Sequence, residues 1–216
     1  MVVSFPLNLA AFADRLMIRD VRWQLRRNDE LSGLGSGQTL SAELAPPLWI
    51  GSVQLELMDF AEADQVQAAI ETLDGPFNSF YLCSPRRRFP QADPDGTLLG
   101  AATPTIHTLG GDNKSVRLAG VPAVYQLTRG DFLAFDYGAP SRRAFHRIVE
   151  DATADGAGIT PSFEVRPHIR PGATTGLAVT LIKPAAKVFI VPDSFDAGVA
   201  RRTITEGMSF QVMQRL

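Results

Sequence analysis

Apolar and polar positions alternate along two early stretches of the chain. From Arg22 to Arg26, Trp23 and Leu25 point one way, and Arg22, Gln24 and Arg26 the other. That is the pattern of a half-buried strand. From Trp49 to Leu57 the alternation returns, with Val53, Leu55 and Leu57 on an apolar face and Ser52, Gln54 and Glu56 on a polar one. Between them Gly33, Gly35 and Gly37 predict a flexible loop.

The period then changes. Ala63, Val66, Ile70 and Leu73 fall on one stripe at helical spacing. Asp59 and Glu62 stand three apart, as a capping box requires, and Gly75-Pro76 stops the pattern. One helix is expected over Phe60–Leu73, with a strand following at Ser79–Leu82. Prolines and arginines then crowd Ser84–Gly96, which reads as a loop or a domain crossing. Beyond it come five short strands separated by turns, at Ser115–Leu118, Tyr125–Leu127, Phe132–Tyr137, Arg143–Val149 and Ser162–Val165. Such a series predicts a small barrel. Arg166–Gly172 closes the region, and Leu177–Ile182, Lys187–Val191 and Ser209–Met213 read as strands again.

The expected fold is therefore mainly β: a β-sandwich with one helix, plus an inserted small barrel. Residues 1–90 and 172–216 would form the outer domain and residues 91–171 the insert. A length of 216 residues with 45% apolar residues suffices for real cores, and 18 glycines with 15 prolines favour many turns.

Charge and chemistry narrow the function mostly by exclusion. A net charge of -2 gives no global attraction to nucleic acid or an anionic membrane. No apolar run approaches the roughly 20 residues of a spanning helix, and Met1–Leu16 lacks the pattern of a signal peptide. The lone Cys83 permits neither an intrachain disulfide nor a cysteine-based zinc site, in keeping with synthesis in a reducing compartment. His107, His146 and His168 show no metal-ligand spacing. Asp151–Gly156 has some of the spacing of a calcium loop, but Ser162 stands where a bidentate Glu is needed, so a hairpin turn is the better reading. No nucleophile elbow or phosphate-binding lysine loop is present. No catalytic, cofactor-binding or metal residue is assigned, and no cofactor is expected. Arg86-Arg87-Arg88 is the densest basic run. With the acidic turn residues Asp93, Asp95, Asp151 and Asp155 it suits contacts between copies of one chain.

The order of the pieces is more informative than any one of them. Leu48-Trp49-Ile50-Gly51 leads into an alternating strand, and the helix closes on Leu73-Asp74-Gly75-Pro76 just before Phe80-Tyr81-Leu82. Later come Arg129-Gly130-Asp131-Phe132, Phe145-His146-Arg147-Ile148-Val149-Glu150, Ala154-Asp155-Gly156-Ala157-Gly158 and Phe163–Arg170 with its Pro167 and Arg170. From about Leu48 to Leu181 this order resembles the distal tail (baseplate) proteins of siphophages and prophages. The resemblance implies a non-enzymatic structural protein of the virion tail, assembled in the host bacterial cytoplasm. It also implies a hexameric ring that joins the tail tube to the tail-tip hub, and an insert of the oligonucleotide-binding (OB-like) type that does not itself imply nucleic-acid recognition. The chain departs from the pattern in showing no recognisable long tube-like β-hairpin, which keeps open a hub-associated minor tail protein. A carbohydrate-binding barrel using Tyr125, Phe132 and Tyr137, and a cell-wall hydrolase of unrecognised type, are the other classes in play.

Overall fold

A computed structural model describes residues 4–216. The strands, in chain order, are β1 (Ile18–Gly33), β2 (Thr39–Leu55), β3 (Met58–Asp59), β4 (Phe80–Leu82), β5 (Thr105–Leu109), β6 (Ser115–Ala119), β7 (Gln126–Leu127) and β8 (Phe132–Tyr137). They continue with β9 (Arg142–Ile148), β10 (Ala152–Thr153), β11 (Phe163–Arg166), β12 (Val179–Thr180), β13 (Ala186–Ile190), β14 (Val199–Arg201), β15 (Ile204–Glu206) and β16 (Ser209–Gln214). The helix α1 spans Phe60–Glu71. Strands take 43% of the chain and helix 7%, so the protein is mainly β, as the patterning predicts.

The first layer is an antiparallel sheet in the order β1-β2-β16-β13-β4. Its faces follow the period-2 rule. Trp49, Val53 and Leu55 on β2, Val21 and Trp23 on β1, Phe210 and Val212 on β16, and Phe80 and Leu82 on β4 all point inward and are buried. Gly51 sits among them for want of space. A Cβ there would stand 2.8 Å from Val212 and 3.0 Å from the Trp23 ring. The N-terminal turn carrying Phe12 and Leu16 covers this face, together with α1 through Ala63, Val66 and Ile70. Asp59 and Glu62 form the expected capping box, each side chain accepting from the other's backbone amide.

The second unit is a nearly closed barrel-like sheet in the order β12-β8-β9-β11-β6-β5, and a bridge between Thr105 and Ala178 brings its two edges together. Leu118, Leu127, Phe135, Ile148, Phe163 and Val165 fill its interior. Val179–Thr180 belongs to this sheet through pairing with Phe135–Ala134, so the barrel takes in residues beyond 171.

Five expectations change. The strand at Arg22–Arg26 is part of a much longer one, since β1 and β2 pair from Ile18↔Leu55 out to Gly33↔Thr39. The glycine loop shrinks to a turn in which Leu34 and Gln38 close on each other. The chain therefore does contain a long β-hairpin. Leu57 is exposed, because β2 stops at Leu55 before the alternation can carry it inward. The helix ends two residues early at Thr72, whose amide and hydroxyl bond back into the last turn, leaving Leu73 buried in the turn that follows. Strands β5, β14 and β15 lack a strong alternating apolar pattern and arise from pairing with their neighbours.

Candidate functional site

Two surfaces carry the chemistry. The first is the outer half of the β1–β2 hairpin. Every residue from 26 to 44 is exposed, and no third strand pairs with this part, because β16 meets β2 only at Ile50–Gln54. At about 3.4 Å per residue the arm extends roughly 20–25 Å from the sheet. Leu40, Ala42 and Leu44 alternate with Thr39, Ser41 and Glu43, so they share one face, and Leu40 and Leu44 are 55% and 62% exposed. Leu31 lies opposite Ser41, on the other face, and is 70% exposed. An alternation of this kind normally marks a strand with one buried side. Among the described residues nothing covers it.

The base of the arm is fixed. The Arg170 guanidinium donates to the carbonyls of Pro46 and Pro47 at 3.4 and 3.3 Å. Between this base and the 166–171 segment lies a shallow groove that includes Leu25, Arg27, Pro46 and His168.

The second surface is a cleft of about 420 Å³ at the open edge of β1, between the sheet and the barrel. Pro85–Arg87 form a short 3-10 turn, which places Arg86 and Arg87 over it. Arg147 on β9 lies 5.0 Å from the Trp49 ring centroid and 4.8 Å from that of Phe132. Half-burial there, with Arg87 nearby, lowers its pKa.

The proposed interface residues fare differently. Arg88 is paired within the subunit, its Nη2 3.3 Å from Asp14 Oδ1. Arg86 and Arg87 face the cleft. Asp93 is a correction: it is fully buried, and its carboxylate accepts from the amides of Leu98 and Leu99 and from the Tyr125 hydroxyl. A carboxylate with no exposed surface and three internal donors is not presented to a second subunit. Asp95 is exposed, and bonds to the amide and hydroxyl of Thr97 hold its pKa low. Asp151 accepts from the Arg129 amide, and Asp155 from the amides of Ala157 and Ile159. Asp95 and Asp155 thus serve their own turns, and Asp151 ties down the backbone of a turn 22 residues away.

Tyr125, Phe132 and Tyr137 are all buried, so none forms an exposed platform for a sugar ring. His146 is buried, its Nδ1 2.8 Å from the Pro167 carbonyl and its ring stacked on Phe135. Burial drives its pKa down to about 4. Burial likewise pushes the Cys83 thiol up to about 12, which keeps it protonated. Among the described residues no group of three His, Cys, Asp or Glu side chains is placed to hold a metal, and no helix is long and apolar enough to cross a membrane.

Sequence reasoning missed the arm and Arg147. The alternation over Thr39–Leu44 is the signal for the arm, hidden by the three glycines before it. Arg147 has no sequence signal, because its surroundings come from Trp49 and Phe132, far away in the chain. No family model matches this sequence, and no curated protein does.

Proposed function

We propose that the chain is a structural, non-enzymatic subunit of a bacteriophage tail tip, which forms a homo-oligomeric ring, hexameric by resemblance, between the tail tube and the tip hub. The ordered likeness to distal tail proteins supplies the identity. The observation that carries the reading is the β1–β2 arm. A two-stranded ribbon alone is marginal in water, and both strand edges of this one are unpaired. It bears an apolar stripe, Leu40, Ala42 and Leu44, that its own subunit leaves exposed. A neighbouring copy would bury the stripe and pair the edge, and head-to-tail repetition of that contact closes a ring.

On this reading the arm makes the main contact. Of the charged residues, the exposed Asp95 is left as a rim charge, and rim charges tune specificity more than affinity. The partners are further copies, tube proteins and hub proteins, and the location is the virion tail. Light scattering on the purified chain over a concentration series tests the assembly, with a discrete multimer expected as concentration rises. Imaging of intact particles tests the place. A ring at the distal end of the tube supports the reading, and location in the capsid or absence from particles refutes it.

A further inference from the structure

The cleft at the edge of β1 holds more positive charge than the subunit neutralises. Among the described residues, no carboxylate lies within 4.0 Å of the guanidinium groups of Arg86, Arg87 or Arg147. Arg147 is also partly withdrawn from water onto the rings of Trp49 and Phe132. A cation so placed is stabilised by a carboxylate brought to it. The Arg86-Arg87 turn borders a second hollow as well, of about 480 Å³, whose walls include Pro85, Phe89, Pro90 and Pro94. The two hollows share Arg86 and Arg87, so guanidiniums and apolar ring surface lie side by side.

The outer arm has the opposite character. From Asn28 to Leu44 it contains Asp29, Glu30 and Glu43 and no lysine or arginine. Asp29 and Glu43 share one cation, Arg27, at 2.6 and 3.8 Å. Among the described residues Glu30 has no cation within 4.0 Å. Glu30 stands directly across from Ala42, and residues opposite each other on paired strands share a face. The exposed stripe of Leu40, Ala42 and Leu44 therefore presents an unpaired carboxylate together with its apolar groups. A subunit cannot bring its own arm to its own cleft. Glu30 is seven positions beyond Trp23 on the same paired strand, roughly 24 Å away at about 3.4 Å per residue.

We propose that this cleft, with the hollow beside it, receives the arm of a second copy of the chain. Glu30 meets the guanidiniums of Arg86, Arg87 and Arg147, and the leucine stripe lies on Pro85, Phe89 and Pro94. This rests on the ring reading and adds the receiving surface to it. Arm and cleft are different patches, so the contact is head-to-tail, as closure by rotation requires. Apolar burial supplies most of the strength of such a contact, and the charge pair fixes where the arm lands. Nucleic acid is the competing occupant for a group of guanidiniums, but a net charge of -2 gives it no long-range attraction.

A charge swap on the full chain tests this by light scattering over a concentration series, with circular dichroism to confirm that each variant folds. The arm variant is Glu30→Lys, and the cleft variant is Arg86→Glu with Arg87→Glu. Each alone sets like charges together at every contact and should raise the concentration needed for assembly by about tenfold or more. Mixed in equal amounts they should co-assemble, because each arm then finds a cleft of opposite sign. One chain carrying all three changes should likewise return to within about threefold of the parent. Arg15→Glu with Arg202→Glu lowers the net charge as much as the cleft variant does, at exposed positions outside the cleft, and should assemble like the parent. If the parent assembles and the cleft variant does so equally well, the arm docks elsewhere, and the ring reading survives without this receiving surface. Failure of the mixture and of the combined chain to recover, or an equal loss in the Arg15 and Arg202 control, overturns the docking as well. So does a short DNA oligonucleotide that binds the parent saturably and blocks no assembly, since the cleft is then occupied by nucleic acid. A parent that never assembles removes the ring reading itself, and the receiving surface with it.

Discussion

The indole N–H of Trp49 donates to the main-chain carbonyl of Phe145 at 2.8 Å, across the seam between the five-stranded sheet and the barrel. The same two rings are in edge contact at 5.9 Å, and Phe145 stacks on Phe132 at 4.7 Å. One side chain of β2 thus fixes where the barrel sits. Trp49→Phe keeps a ring but deletes the donor and part of the volume, leaving the Phe145 carbonyl short of a partner. A loss of about 2–4 kcal/mol is expected in urea unfolding. A loss below about 0.5 kcal/mol, the range of surface sites, would show that the seam is held elsewhere.

Ile70 reports on how α1 is attached. It is 6% exposed and packs with Val66 and Ala63 into the sandwich core. Ile70→Ala should cost about 2–5 kcal/mol, spread by how far the site can collapse. A surface-like loss would mean that the helix is not docked on the sheet. The helix content of 7% sets the companion check: circular dichroism above about one-third helix, the average for globular proteins, is incompatible with this fold.

The alternating stretches and the helix were legible because each element's own residues decide its buried face. Trp23 and Val53 turn inward as their parity demands, and Asp59 with Glu62 marks the helix start to the residue. The inserted barrel was legible from strand spacing, though its last strand lies past the second proline break. Legibility failed where partners decide the outcome. Thr39–Leu44 looks like half of a buried strand and stands in solvent, because no other described part of the chain packs against it. Asp93 looks like a surface turn acid and is a core acceptor, since Tyr125, which closes over it, comes from a distant turn. The cation cluster of Arg86, Arg87 and Arg147 is assembled from two stretches some sixty residues apart and leaves no local trace.

His146 gives the protein an acid-sensitive core. Its pKa is held at about 4 by burial, against an ordinary value of 6.5. Between those values the unfolded chain takes up a proton that the folded chain refuses, so stability falls as pH drops from about 6.5 to about 4 and is fully present above that window. The shift corresponds to a loss on the order of 3 kcal/mol across it. Thermal melts at pH 7 and pH 4.5 should differ accordingly, and His146→Leu should flatten the difference. An unchanged acid limb in that variant would assign the sensitivity to other groups.

The arm decides the functional reading, because its residues can be changed without touching a core. Leu40 and Leu44 make no buried contact in the subunit, so Leu40→Ser with Leu44→Ser should leave the unfolding midpoint within about 0.5 kcal/mol of the parent, as surface changes do. Burial of two leucines against a neighbour stabilises a contact by about 1.5–3 kcal/mol each. Their loss should therefore raise the concentration needed for assembly by about two to four orders of magnitude. A positive control comes from the opposite face of the arm, where Thr39→Ala leaves the apolar stripe intact and should assemble like the parent. Light scattering over a wide concentration range reads all three proteins. If the double variant assembles as readily as the parent, the arm is not the contact. If the parent stays monomeric up to millimolar concentration, the ring reading loses its physical support whatever the arm does.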